Sequence, residues 1–453
     1  MQSRPWTELS GVYGVRRLDA KGPTTVAWKG VSQEKKEVLT GAFFWLTVFY
    51  FIYCARPGDL IPAVAVIPLA KVSGGLAALT LLFSIGRSPR DIRDLPKEAL
   101  YLLVLIILLF ASALLSPVWK GGAFETVLDF SKVFVGWTLT FLLVTTVKRL
   151  RRIVFVQSAS VAVVSCVALV KGHSVPRLEG VIPGGLYANP NDMAFAIVLS
   201  IPFCLAFLLT ARGFLKRGAW TIGIVVMLAA LMVTASRAGF IDLVIAGTVL
   251  LRELGVKGKR PYLIAGAAFL CLALLFVVGK DLTVRFHGIV KSGNSVAQDS
   301  AHASYEERRV LMVKSFNAII HYPILGVGPG DFQVYSGIWR DVHASYLQIA
   351  VEGGIPVLIL YLLFFFRGFA NLRVLAGMQN LDDETVLFFG ALKSSLIGFV
   401  VGACFAPEAY QFFPYFAVCY TSVLLAITKE RQRAQVPPTR LLTSPLIYPA
   451  RSY

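Results

Sequence analysis

The sequence predicts an all-α polytopic membrane protein with about 12 transmembrane helices and a long outer loop between the ninth and tenth. Three observations carry that reading. Of 453 residues, 56% are hydrophobic and only 15% charged, and the mean hydropathy is +0.68, the balance of multi-span membrane proteins rather than soluble domains. The apolar residues fall in runs of about 20, the length that crosses a bilayer. Short basic clusters separate the runs, and within the hydrophobic region only residues 301–356 form a long stretch that is not apolar.

The net charge of +18 would suggest nucleic acid in a soluble chain. Here basic residues mark the cytoplasmic ends of membrane helices, so no nucleic-acid partner is expected. Cys54, Cys166, Cys204, Cys271, Cys404 and Cys419 all lie in or beside apolar runs without CxxC spacing. They read as packing or lipid-facing residues, not disulfides or zinc ligands.

Residues 1–37 form a basic tail, read as cytoplasmic, and the first apolar run begins only near Val38, so no cleavable signal peptide is expected. The membrane domain is placed at 38–428. Spans are expected at 39–55, 62–85, 98–116, 125–147, 153–170, 190–210, 218–235, 240–251, 261–279, 355–371, 386–404 and 412–428. Residues 429–453 form a second cytoplasmic tail. Orientation follows the short loops: Arg87 to Lys97, Lys148 to Arg152, Arg212 to Arg217 and Arg252 to Arg260 lie on one side, against scattered Arg56, Lys120, Lys171, Arg177 and Arg237 on the other. Both termini are then cytoplasmic, and the 280–354 interval lies outside.

Within that interval Glu306 to His321 has a helical pattern. Val310, Val313, Phe316, Ile319 and Ile320 recur near the 3.6 period, which predicts an amphipathic element on the membrane surface. His343 to Glu352 reads as a short helix broken by Gly353-Gly354, and Gly326-Val327-Gly328-Pro329-Gly330 as a tight turn. That glycine run has no strand before it and no Lys-Ser/Thr after it, so it is not a nucleotide loop.

Four polar side chains are expected outside the membrane at one water–membrane boundary: Arg177, Arg237, Arg308 and His343. Arginine keeps its charge and binds phosphate oxygens bidentately; histidine titrates near neutrality and can take a proton from a hydroxyl. Such a set suits a lipid diphosphate. Each also has a plain reading. Arg237 can snorkel at a helix end, His343 can be an interfacial residue without a role, and Arg308 can belong to a solvated face, with Arg309 its rival. Asp242, just inside the eighth span, needs a partner, and Arg237 or another basic residue is the expected one. Asn189-Pro190 reads as a cap and first helical turn, with Asn191 and Asp192 suited to cap or site. Lys132 pairs with Asp129 at i,i+3. Glu352 lies nearly opposite His343 on a straight helix and is not its orienter. Lys71 and Lys393 read as snorkelling or bundle-buried, and Asp382-Asp383-Glu384 as a solvated cytoplasmic loop.

Taken together, four segments resemble the O-antigen ligase and polymerase superfamily of bacterial envelope enzymes. They are Arg177 with Gly185-Leu186-Tyr187-Ala188-Asn189-Pro190-Asn191; Thr234-Ala235-Ser236-Arg237-Ala238-Gly239; Arg308 through Pro323-Ile324-Leu325-Gly326-Val327-Gly328; and His343 through Glu352-Gly353-Gly354-Ile355-Pro356. One departure is Val357, where the family often has Gly. The resemblance implies a GT-C-like glycosyltransferase of the bacterial cytoplasmic (inner) membrane. It implies an undecaprenyl diphosphate-linked glycan donor and a glycan, lipid A-core or other hydroxyl acceptor, with no cofactor and no metal. Arg177, Arg237 and Arg308 would hold the diphosphate, with Arg237 also catalytic, and His343 would activate the acceptor. Asn189, Asn191, Lys132 and Glu352 would be supporting residues. The product would be O-antigen, capsule or exopolysaccharide. A transporter of lipid-linked glycans, or a non-catalytic envelope scaffold, is the alternative.

Overall fold

The computed structural model describes residues 39–65, 67–83, 90–173, 178, 181–182, 187, 189–270, 272 and 296–435. The N-terminal tail, Arg177, Cys271 and residues 273–295 lie outside them. Among the described residues the structure is helical with no strand. The membrane domain contains α1 (Thr40–Ala55), α2 (Leu69–Leu82), α3 (Lys97–Leu114), α4 (Lys120–Leu143), α5 (Val147–Lys171), α6 (Pro190–Thr210), α7 (Phe214–Thr234) and α8 (Arg237–Leu250). These are followed by α9 (Pro261–Leu270), then α10 (Val296–His321), α11 (Phe332–Ser336), α12 (Ser345–Ala376), α13 (Asp383–Gly402) and α14 (Phe412–Gln435). A helix falls on each expected apolar run. Eight of them, α3 to α7 and α12 to α14, are long and apolar enough to cross a membrane. α8 is shorter, but the chain continues beyond it as a π-helical turn, Leu251–Val256.

α6 packs on α7, α8 and α13, and α12 packs on α3 and α14. α6 is buried on nearly every side, from Met193 to Phe207, which is why its sequence is apolar all round rather than amphipathic. Interhelical polar contacts supplement van der Waals packing, as expected where lipid offers no hydrophobic drive between helices. Tyr420 donates to Gln157 at 2.8 Å, and Asn371 donates to Glu98 at 2.6 Å. Phe365 and Phe399 pack with ring centroids 4.5 Å apart, joining α12 to α13. Glu253 accepts from Lys393 at 2.7 Å and from Lys257 at 3.0 Å, so Lys393 is an ion-pair partner and does not snorkel. Asp382 pairs with Arg431 at 3.3 Å and Glu384 with Arg151 at 3.2 Å, which disperses the acidic run.

The interval between α10 and α12 is held by one backbone device. α12 is interrupted at Gly354, whose φ is 82° and ψ 175°. The amide of Ile355 leaves its helical acceptor and donates to Pro323 O at 2.8 Å. The freed carbonyl of Val351 accepts from Val327 N at 2.9 Å. Pro356 has no N–H, so the carbonyl of Glu352 is also released. It accepts from Gly328 N at 3.1 Å and from Ser112 Oγ at 2.8 Å. The 323–328 turn thus satisfies the carbonyls that the break exposes. A Cβ on Gly354 would stand 2.3 Å from Ile324 O, and one on Gly326 2.4 Å from Val351 O. Val357 is buried, and a Cβ on Gly353 would meet its side chain at 2.9 Å; the departure from the family pattern is a packing residue within α12.

Candidate functional site

Two helix starts are joined at one end of the bundle. Asn189 caps α6, accepting from the amide of Asn191 at 2.9 Å, with Pro190 in the first helical position. Ser236 caps α8, accepting from Gly239 N at 3.1 Å. The Ser236 hydroxyl donates to Asn191 Oδ1 at 2.8 Å. Arg237, the first residue of α8, is therefore held, half-buried, beside the start of α6. Helix N-termini offer amides and the positive end of the dipole, which favours an anion. Leu178, next to Arg177, donates to Val233 O at 3.4 Å, close to the same turn.

α10 carries Arg308 and Arg309 in different directions. The helix packs down through Leu311, Ser315 and Ala318. Arg308 lies toward that side, near enough to His343 for the two charges to interact. The Arg309 side chain is 69% exposed and pairs with Glu306 at 3.4 Å. Of the expected apolar stripe, Val310, Val313, Phe316 and Ile320 are exposed, whereas Ile319 is half-buried against the cluster of Leu311 and Ala318. α10 thus has two apolar faces, a narrow one on the body of the protein and a wider one turned outward.

His343 lies just before α12 and is half-buried. Its Nδ1 is buried with no hydrogen-bond partner among the described residues. Burial first, then the positive charges of Arg308 and Arg340, push its pKa from 6.5 down to about 4. The imidazole is held neutral and able to accept a proton. Its position is secured through Ser345, whose amide donates to Ala403 O at 2.7 Å, whose hydroxyl donates to Ala406 O at 2.7 Å and whose Oγ accepts from Glu408 N at 2.9 Å. Glu408 faces Asp192 of α6; burial, then the charge of Asp192, raises the Glu408 carboxyl well above the usual carboxylate range. This pair links the His343 side of the site to the α6 start.

Glu352 is 2% exposed and faces the Gly330 amide and the Tyr410 hydroxyl, not His343, as its helical spacing requires. Lys132 pairs with Asp129. The expected partner of Asp242 is not found: both carboxyl oxygens are buried without a hydrogen bond among the described residues. The carboxyl instead faces Gly398 and Gly402 of α13, because the fold packs that flank of α8 on α13. Sequence reading did not single out Glu408, Tyr410, Ser116 or Asp331. Ser116 Oγ lies within hydrogen-bond distance of both Asp331, at 2.6 Å, and Val327 O, at 2.8 Å, supporting the 323–328 turn. Glu408 had a signal: it is the charged residue of the 403–411 turn, which is otherwise uncharged.

Arg237, Arg308, His343 and the Gly354 break all fall in one matched interval. Residues 222–362 match the protein-family model described as O-antigen ligase. The superfamily resemblance read from the sequence holds over this interval. The O-antigen ligase match ties the chain to polysaccharide assembly and supports an enzyme. With the apolar helices, it supports a multi-pass protein of the inner membrane. Arg177, Asn189 and Asn191 precede the O-antigen ligase interval, and Glu408 follows it. No curated protein matches the chain.

Proposed function

We infer that the protein transfers glycan from an undecaprenyl diphosphate-linked donor to a hydroxyl acceptor at the outer face of the cytoplasmic membrane, as a ligase or a polymerase. The carrying observation is the half-buried His343, its Nδ1 without a hydrogen-bond partner among the described residues and Arg308 near it, within the O-antigen ligase interval. In this reading the acceptor oxygen attacks the anomeric carbon and its proton passes to His343. The bond from that carbon to the diphosphate oxygen breaks, and Arg237 and Arg308, with Arg177 as the third cation, stabilise the charge on the leaving diphosphate. Fixed guanidinium groups supply that stabilisation without a metal, so transfer should survive EDTA. The outward apolar face of α10, with Val313, Phe316 and Ile320 exposed, suits a helix lying on the bilayer surface.

The test is transfer by the purified protein from a lipid-linked donor, comparing wild type with His343→Ala. Loss of transfer by a variant that inserts and folds normally is expected. Full transfer by His343→Ala would overturn the role of the histidine. Deleting the gene separates the two forms of the reaction: polymer stranded on the carrier indicates a ligase, and single repeat units indicate a polymerase.

A further inference from the structure

A second feature at the same end of the bundle is not used by this chemistry. A cavity of about 790 Å³ lies among α1, α2, α4 and the 410–412 turn. Its described rim includes Arg56, Lys71 and Lys132 against one carboxylate, Asp129. Arg56 pairs with Asp59 and Lys132 with Asp129, whereas no ion pair of Lys71 forms among the described residues and its side chain is exposed. Below the rim the walls turn apolar, with Phe49, Val135 and Leu139, and Gly74 and Gly75 of α2 leave room. Gly75 has nothing within 4 Å of where a Cβ would stand.

A smaller recess of about 270 Å³ adjoins the first and shares Tyr53, Arg56, Ala70 and Lys71 with it. The first turn of α2 also lines it, and no side chain caps that helix N-terminus. The recess therefore combines Lys71, the Arg56–Asp59 ion pair and the positive end of a helix, beside a groove with an apolar floor. Tyr410 lines the larger cavity while its hydroxyl faces Glu352. Tyr410 thus joins the lining of this groove to Glu352 of α12.

We propose that the forked cavity binds an anionic glycerophospholipid, its phosphate in the recess against Lys71 and Arg56 and an acyl chain along Gly75, Val135 and Leu139. The charge at the junction selects an anionic headgroup, and the apolar groove selects a lipid over a soluble phosphate. His343, Arg237 and Arg308 are not among the residues that line the cavity, which favours a resident membrane lipid over a reacting one. The inference does not depend on the glycan-transfer reading.

The experiment uses the purified full chain in detergent and native mass spectrometry, with phosphatidylglycerol, phosphatidylcholine and a polyprenyl phosphate offered separately and in competition. Wild type should retain phosphatidylglycerol over phosphatidylcholine. Lys71→Gln should weaken that retention about tenfold, the loss of one charge-assisted contact. Gly75→Trp, placed where nothing lies within 4 Å of a Cβ, should abolish it, while Arg309→Ala should leave it unchanged. Equal retention of the two phospholipids, unchanged binding in both Lys71→Gln and Gly75→Trp, or displacement of phosphatidylglycerol by the polyprenyl phosphate would each overturn the proposal.

Discussion

The hydroxyl of Ser236 donates to the side-chain oxygen of Asn191 at 2.8 Å, across 45 residues of sequence. The same oxygen of Ser236 caps α8 by accepting from Gly239 N. One side chain therefore begins a helix, ties it to the start of another and sets the position of Arg237. Ser236→Ala should cost about 1 kcal/mol of stability from the lost cap, and more from the lost tie. A double-mutant cycle with Asn191→Ala, read by thermal unfolding, should show a coupling of at least about 0.5 kcal/mol. Strict additivity would mean the contact does not hold the two starts together.

Arg308 and Arg309 are adjacent in sequence and opposite in environment. Arg308→Ala should reduce transfer by about 100-fold or more, the scale of losing a group that stabilises transition-state charge. Arg309→Ala should stay within about twofold, since an exposed ion pair contributes little. Steady-state kinetics of the two variants side by side check this, and equal losses would contradict the geometry.

His343 makes the pH behaviour specific. Its folded pKa, about 4, lies below the ordinary 6.5 because of burial and of Arg308 and Arg340. The unfolded chain therefore binds the proton more readily between those values. The stability that neutral His343 contributes is fully present above pH 6.5, falls as pH drops from 6.5 to about 4, and declines no further below that. In kcat/KM the acid limb belonging to this group should lie near pH 4. Arg340→Gln should move the limb upward by removing a nearby positive charge, and a pH–rate profile of that variant checks the direction.

Gly354 and Gly337 both have positive φ, 82° and 68°. They differ in space: a Cβ on Gly354 would meet Ile324 O at 2.3 Å, whereas nothing lies within 4 Å of one on Gly337. Gly337→Ala should cost about 1–2 kcal/mol, the conformational term alone. Gly354→Ala should cost more, because the clash also separates the 323–328 turn from α12. Limited proteolysis between α10 and α12 should then cut Gly354→Ala faster than Gly337→Ala.

Much of this protein follows from local sequence alone. Runs of about 20 apolar residues have no alternative in a bilayer to closing their backbone hydrogen bonds as helices, so the helices of the apolar runs were legible, whereas the short α11 was not. So were Asn189-Pro190 as a helix start and Gly354 as a break, because caps and positive φ depend on near neighbours. Tertiary structure alone decided which of Arg308 and Arg309 faces His343, that Glu408 meets Asp192, and that Asp242 lies against Gly398 and Gly402. Those contacts join residues from separate helices. Their partners depend on how each helix is rotated and which neighbour it packs against, and hydrophobic periodicity cannot assign either when a helix is apolar on more than one face. α10 shows why: its exposed stripe of Val313, Phe316 and Ile320 is the stronger pattern in sequence, yet it packs through Leu311, Ser315 and Ala318.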